Sequence, residues 1–460
     1  MNRVNKKAII EVDDQLLSDI SDLIQSRSES LLRNILADIY SPDIALIIDN
    51  LPDDEALWLF NLLDITSAAD VLLDLNESRR DYILENLDIA RISEITGNMD
   101  SDDATDIIGE LTEEKAEAVL EKMESEDSSE VKELLRYDEN TAGGIMQKEF
   151  VTVLETDSIN RAVEIIKEKA SDNEHFYHVW VTDNEGRLTG IVSLKKIIVA
   201  LNTPAMIMAD IMNSDVISVN VNTDQEEVAK IMQKYDLVSI PVVDESNRVV
   251  GKITFDDIAD IMEEEFSEDF AKIVGSDAQE LASKSALQIA MMRLPWVLIT
   301  LGIQFLAGVV IHYYDETLTK VILLASFMPI ISAISGNTGL QASAITVRAL
   351  ATGDVSLSNW ADPIKRSLKI SLIIGSVCGL ILGVIGGIWY GKYSFGLVVG
   401  ISMFISINIS AFVGTSTPLL SKKAGFDPAI TVGPFETAFQ DVVGITVFLT
   451  LATLSLKWLV

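Results

Sequence analysis

Two patterns of apolar and polar positions divide the chain. Before residue 294, apolar residues recur at helical or strand spacing between charges, and after it they run together. Five apolar runs follow, at roughly 294–314, 318–340, 368–390, 395–420 and 434–458. Each is long enough for a helix to cross a hydrocarbon core, which takes about 20 residues. Arg348, Lys365, Arg366 and Lys369 lie between the second and third runs, and Lys422 and Lys423 between the fourth and fifth. The opposite side has only Lys320, Lys392 and Lys457 near the run ends. The bias of short basic loops toward the cytoplasm therefore predicts an amino terminus inside and, with five spans, a carboxyl terminus outside. Five is an odd number for one pore, which points to an oligomer.

Polar residues inside these runs are few. Asp441 is the only acidic residue well inside one, seven residues beyond Pro434 and so roughly 10 Å along that helix. A carboxylate at that depth needs a cation, a partner or water. A structural hydrogen bond to a neighbouring helix is one reading. A functional site is the preferred one, because no Lys or Arg lies at comparable depth. Glu436, five residues earlier, is turned about 140° away and is read as a mouth residue that reaches toward the cytoplasmic interface. Ser335-Gly-Asn-Thr-Gly339 interrupts the second run with small and polar groups, as expected at a close helix approach or a polar lining.

Upstream, Leu51-Pro-Asp-Asp-Glu, Leu75-Asn-Glu-Ser-Arg and Met99-Asp-Ser-Asp-Asp recur every 24 residues, each placing cap-type residues ahead of a short amphipathic helix. Residues 41–135 are thus expected to form a small helical solenoid. Asp102 and Asp106, four apart, share one helix side, where a solvated pair is the simplest reading. A second repeat covers residues 144–262. Ile145-Met146 recurs as Ile211-Met212, and the stretch from Val181 through Gly190 recurs 61 residues later from Val242 through Gly251. Each unit reads strand, helix, strand, turn, strand, helix, and the pair resembles tandem CBS domains. That resemblance implies an α/β fold and an adenine nucleotide as a candidate ligand. Thr254-x-x-Asp257 matches the pattern whose acid reaches a ribose, whereas Ser193-Leu-Lys-Lys196 in the first unit lacks the acid. One ATP site and a purely structural pair both remain open. From 255 to 274 a helical period continues, with Asp257, Asp260, Glu264 and Glu268 forming an acidic stripe that only Lys252 and Lys272 are near enough in sequence to relieve. A cation-binding face is the preferred reading.

Composition sharpens the division. The 460 residues carry 70 acidic and 35 basic side chains, a formal charge of −35, which excludes nucleic acid as a partner. Residues 294–460 hold only seven acidic and nine basic side chains, so residues 1–293 carry 63 and 26 and a net −37. An acidic half with no secretory signal is expected in the cytosol, joined to a nearly neutral membrane half. A single cysteine, Cys378, excludes a disulfide framework and cysteine-cluster zinc sites. His175, His178 and His312 are scattered, and no phosphate-binding loop is present, which argues against a primary pump.

The whole chain resembles the MgtE family of magnesium transporters and channels. The specific strings are Gly336-Asn-Thr-Gly-Leu-Gln-Ala-Ser-Ala-Ile-Thr-Val-Arg-Ala-Leu350, Gly425-Phe-Asp-Pro-Ala429 and Gln440-Asp441-Val-Val-Gly444. The resemblance implies a multidomain chain: an all-α helical-repeat domain (1–137), an α/β tandem CBS pair (138–262), a connecting helix (263–292) and an all-α membrane domain of five helices (293–460). It implies a non-enzymatic homodimer in the cell membrane, with a pore on its two-fold axis that carries Mg2+ into the cytosol. Asp441 would bind the permeating ion. Asp102, Asp106, Asp257, Asp260, Glu265, Glu268 and Asp269 would contribute cytosolic Mg2+ sites that close the pore, and Asp427 would lie near its cytoplasmic mouth. Gly433 departs from relatives that place a side-chain amide there. The alternatives are a transporter of Co2+, Mn2+ or Ni2+, a CBS-regulated secondary transporter of an organic ion, and a membrane-anchored nucleotide-binding protein without transport activity.

Overall fold

The structure is a computed structural model that describes residues 10, 12–169, 177–203, 206–274 and 286–459. His175 and residues 275–285 of the expected connecting helix lie outside the described residues. The chain divides into two compact units, Met1–Met262 and Glu263–Val460.

The first unit opens with ten short helices: α1 (Asp14–Gln25), α2 (Glu29–Leu36), α3 (Ser41–Asp49), α4 (Asp53–Phe60), α5 (Ile65–Asp74), α6 (Glu77–Asn86), α7 (Ile89–Thr96), α8 (Ser101–Gly109), α9 (Glu113–Leu120) and α10 (Ser125–Leu134). Each 24-residue repeat holds two helices, and Pro52, Asn76 and Asp100 stand at equivalent N-cap positions of α4, α6 and α8. A helix of eight to ten residues is marginal alone, so stability comes from stacking. Accordingly α3 packs on α5, α5 on α7 and α7 on α9, burying Ile44, Ile48, Leu72, Ile92 and Val119 in one continuous core. Arg79 ties successive repeats by donating to Leu51 O (2.6 Å) and pairing with Asp53 (2.7 Å).

Two three-stranded sheets follow. Strands β1 (Thr152–Leu154), β2 (His178–Thr182) and β3 (Leu188–Ser193) form one, with α11 (Ile159–Lys169) and α12 (Leu194–Ala200). After α13 (Met208–Ile211), strands β4 (Val219–Asn220), β5 (Ser239–Val243) and β6 (Val249–Thr254) form the other, with α14 (Gln225–Lys234) and the start of α15 (Phe255–Val274). In both sheets the first pair is parallel and the second antiparallel, and Val181↔Gly190 matches Val242↔Gly251 in register. The repeated methionines explain the repeated glycines. Met146, which precedes the first sheet, lies on Gly251 of the second, and Met212 lies on Gly190 of the first. A Cβ at Gly251 would stand 2.6 Å from the Met146 sulfur, and one at Gly190 2.5 Å from that of Met212. Each unit thus lends the other a side chain, so the pair folds as one body.

The second unit holds the rest of α15 and helices α16 (Ala286–Tyr313), α17 (Asp315–Lys320), α18 (Leu324–Ala351), α19 (Ala361–Tyr390), α20 (Tyr393–Lys423), α21 (Pro434–Leu454) and α22 (Leu456–Leu459). Among the described residues, four helices are long and apolar enough to cross a membrane: α16, α19, α20 and Glu436–Leu454 of α21. The fifth long helix, α18, spans 28 residues but is diluted by serines, glycines and threonines, and it differs from the expected second span in two ways. It begins after α17 and runs on to Ala351, and Ser335–Gly339 does not break it. The small residues there face neighbours: α18 packs against both α20 and α21, and the backbone of Gly336 and Gly339 lies beside Asp441 and Gln440.

Replacing Gly251 by alanine in the full-length protein is expected to cost about 1–3 kcal/mol, the usual penalty for overpacking a filled interior. Denaturant unfolding followed in the acidic half checks this, and a Gly251→Ala protein as stable as its parent would refute the methionine exchange between the two sheets.

Candidate functional site

In the membrane unit the candidate centre is Asp441, on the second turn of α21 and half-buried. Ser332 Oγ of α18 donates to Oδ1 and Gln304 Nε2 of α16 donates to Oδ2, both at 2.5 Å. The structural hydrogen bond weighed against a functional role is therefore present, twice. A carboxylate has about four lone-pair sites, so two neutral donors orient it and leave acceptor capacity without cancelling its charge. Among the described residues no Lys or Arg forms an ion pair with Asp441. Sequence reasoning missed Gln304 and Ser332. Both are polar residues in apolar stretches and could have been picked out on that ground.

Glu436 does not reach solvent within the protomer, as a side chain extended toward an interface would. It is 2 % exposed, and it contacts Ser343 Oγ of α18. Asn337 lies on the exposed face of α18. Gly433 has φ +84°, a conformation that side chains rarely adopt, and Ile273 O crowds the place where a Cβ would stand. A side-chain amide at position 433 is therefore incompatible with this backbone.

In the first unit the acids gather where α8 meets the start of α15. Asp102 is buried rather than solvated, and its Oδ1 has no hydrogen-bond partner; Asp106, four residues on, is exposed. Asp257 accepts from Thr254 N (3.1 Å) and Thr254 Oγ1 (2.7 Å), and Gln147 Nε2 lies 3.4 Å from its Oδ2. Gln147 also hydrogen-bonds Asp102, so one amide joins the two acids. Glu149 holds the N-terminus of α8 by accepting from Ser101 N (3.1 Å) and Ser101 Oγ (2.9 Å). Burial, and then the Asp257 charge, push Asp102 well up. The same two causes raise Asp103 to about 7. Burial lifts Asp257 to about 6 against the pull of Thr254. Asp260, exposed on α15, is near enough to Asp74 to raise it further after burial has done so. Asp103, Asp74 and Glu149 were not singled out in the sequence, although the density of acids from Asp100 to Asp106 was a usable signal.

Farther along α15, Glu264 and Glu268 are exposed and Glu265 and Asp269 half-buried. Lys272 contacts Glu268 and pairs with Asp427 at 2.8 Å, while Asp427 Oδ1 accepts from Ala429 N (2.8 Å). Burial opposes the charge on Lys272, but Asp427 and Glu268 outweigh it and raise its pKa. Among the described residues no three acidic, His or Cys side chains converge as a cage for a bare metal ion.

Four stretches of the chain match three known families. Residues 39–140 match the MgtE intracellular N domain, 142–203 and 208–264 match CBS domains, and 328–451 match the family described as divalent cation transporter. Over 451 residues, 97 % of this chain and 100 % of the relative, it is 30 % identical to the magnesium transporter MgtE of Thermus thermophilus. The chain belongs to the MgtE family. It is also 33 % identical over 330 residues to magnesium transporter MgtE of Enterococcus faecalis, covering 72 % of each. The crystal structure of the cytosolic domain of the Mg2+ channel MgtE in complex with ATP matches at 33 % identity and a TM-score of 0.50, over 54 % of this chain and 100 % of that one. The multidomain order of helical N domain, CBS pair and membrane-embedded helices is thus that of MgtE transporters.

The raised carboxyls have a pH signature. An acid whose folded pKa exceeds its unfolded value near 3.8 contributes stability that is full below about pH 4 and lost as the pH rises through about 6 to 7. In chelator, the acidic half is expected to lose thermal stability over that window, and Mg2+ to restore more at about pH 8 than at about pH 5. Asp103→Asn should flatten both responses; thermal unfolding of the variant beside the parent checks this.

Proposed function

We propose that this chain is a homodimeric magnesium channel of the cell membrane, with its amino terminus in the cytoplasm and its pore on the two-fold axis. The observation that carries the reading is Asp441, a charged side chain on an apolar helix, held by two neutral donors and left without a cation. Two such carboxylates across a dimer axis balance one divalent charge and accept hydrogen bonds from its water shell, so the ion passes without the dehydration that magnesium resists. The names of the Thermus and Enterococcus relatives support magnesium as the cargo over Co2+, Mn2+ or Ni2+.

Cytosolic Mg2+ closes this pore. The acids of α8 and α15, Asp102, Asp106, Asp257 and Asp260 with Glu265, Glu268 and Asp269 further on, repel one another when ionised, and divalent ions convert that repulsion into attraction. Asp427, beside Lys272 in the loop before α21, belongs to the same acidic set. An adenine nucleotide at Thr254 and Asp257 is a second ligand of this half, supported by the ATP complex of the relative and by the fixed orientation of Asp257.

Asp441→Ala is expected to abolish Mg2+ flux into proteoliposomes while leaving a folded dimer, and Asp441→Asn to lose nearly as much because it keeps shape but not charge. Flux at the parental rate from either variant would sink the pore assignment. For the sensor, protease should cut the acidic half readily in chelator and slowly in millimolar-range Mg2+. Deleting residues 1–135 should leave flux that persists at Mg2+ levels that shut the full chain. Equal cleavage in both conditions, together with normal closure of the shortened chain, would remove the acidic half from regulation.

A further inference from the structure

Glu436 is a buried acid outside the magnesium site proposed at Asp441. It sits on the first turn of α21, faces α18 and α20, and is 2 % exposed. Its bonded partners among the described residues are neutral: Ser343 Oγ at Oε2, and the side chain of Gln440 one turn on. Oε1 is buried with no hydrogen-bond donor of ordinary geometry. Ser343 Oγ also stands 2.7 Å from the carbonyl oxygen of Gly414 on α20. A hydroxyl has one hydrogen, so Glu436 Oε2 and the Gly414 carbonyl compete for the single proton of Ser343.

The charge needs a partner, and the side chains supply none. On the elements packed against α21 the charged groups are Arg293 on α16, Asp315, Glu316 and Lys320 on α17, Arg348 in the last turn of α18, Lys422 and Lys423 in the last turn of α20, and Lys457 on α22. His312 on α16 is a further titratable group, and Asp441 lies five residues on along α21 itself. None of them bonds to Glu436. A divalent ion is the wrong compensation, because against one carboxylate it leaves a net positive charge out of water. The surroundings are also closely packed: a Cβ on Gly414 would stand 2.8 Å from Glu436 Oε1, and one on Gly339 3.0 Å from Gln440 Nε2, which disfavours an ion that keeps its water shell. One unit of positive charge without a hydration shell satisfies both the charge and the space.

We propose that Glu436, with Ser343 and the Gly414 carbonyl, binds one bare monovalent cation, a proton or a sodium ion, inside each protomer and apart from Asp441. Because α21 carries both acids, occupancy of this site sets the packing of the helix that presents Asp441, and the monovalent ion is an effector of the divalent pathway.

The test uses full-length protein in detergent with chelator. Thermal unfolding is followed in NaCl against choline chloride at equal ionic strength, and across pH in choline chloride, for the parent, Glu436→Gln and Asp441→Asn. A sodium site gives a rise of a few degrees in NaCl that Glu436→Gln loses and Asp441→Asn keeps. A proton site gives no sodium effect, but a pH-dependent gap of similar size between the parent and Glu436→Gln. Identical sodium and pH responses in parent and Glu436→Gln overturn the proposal. Should Glu436→Gln not fold, Ser343→Ala serves: at least a tenfold shift in the sodium or proton midpoint is expected, and an unmoved midpoint overturns the proposal.

Discussion

Carboxylate charge that the chain itself does not neutralise is the constraint on which both halves depend. The protein carries twice as many acidic as basic residues, and the excess lies before the membrane helices. A folded protein usually disperses such charge over its surface. Here part of it is turned inward: Asp102 is buried beside Asp257 and Asp103, and Asp441 and Glu436 are set into an apolar helix. An isolated buried charge costs several kcal/mol, and neutral hydrogen bonds return only part of that cost. Each such carboxylate therefore calls for compensation by a proton or a cation.

Neutral donors decide how such a carboxylate points. Asp441 is held at both oxygens by Gln304 and Ser332 from two different helices, and Asp257 by the backbone and hydroxyl of Thr254. Such bonds restrict the carboxyl rotamer before any ion arrives, which lowers the ordering cost of binding. Asp427 is handled differently. Lys272 supplies a built-in ammonium between it and Glu268, so this part of the acidic set holds together without a metal. The same chemistry thus appears in two grades, one paired with a cation of the chain and the other held by neutral donors alone.

Periodicity made the architecture legible. The 24-residue spacing, the paired Met and Gly motifs and the long apolar runs each translate directly into helix stacking, exchanged contacts between sheets and membrane-length helices. Asp441 was legible for the same reason, since a charge in an apolar run stands out. The failures share a cause: they depend on side chains far apart in sequence. Asp102 reads as solvated from its own helix, because the groups that act on it there, Asp257 of α15 and Gln147, are distant in sequence. Glu436 reads as a mouth residue from its position near a helix end, yet α18 and α20 close over it. Ser335–Gly339 reads as a break because glycine is a poor helix former, about 1 kcal/mol worse than alanine. Close packing of α18 on α21 offsets that propensity.

The proposed closure by magnesium can be checked for energetic sufficiency. Moving a two-state gate from almost always open to almost always closed takes about 5.5 kcal/mol of differential binding. Two ionised carboxylates roughly 4 Å apart repel by about 4 kcal/mol at an effective dielectric near 20. Relief of two such pairs would cover the requirement, before any direct attraction to the ion is counted. In the first unit Asp74 and Asp260 are exposed and screened by solvent, whereas the buried and half-buried acids Asp102, Asp103 and Asp257 are the set in which such repulsion acts. Their raised pKa values set a limit on it: protons relieve the same repulsion, so the energy available to magnesium shrinks as the pH falls toward the range in which Asp103 and Asp257 titrate, about 7 and about 6. A sensor built this way reads magnesium against protons, and its steepness depends on the pH at which it works.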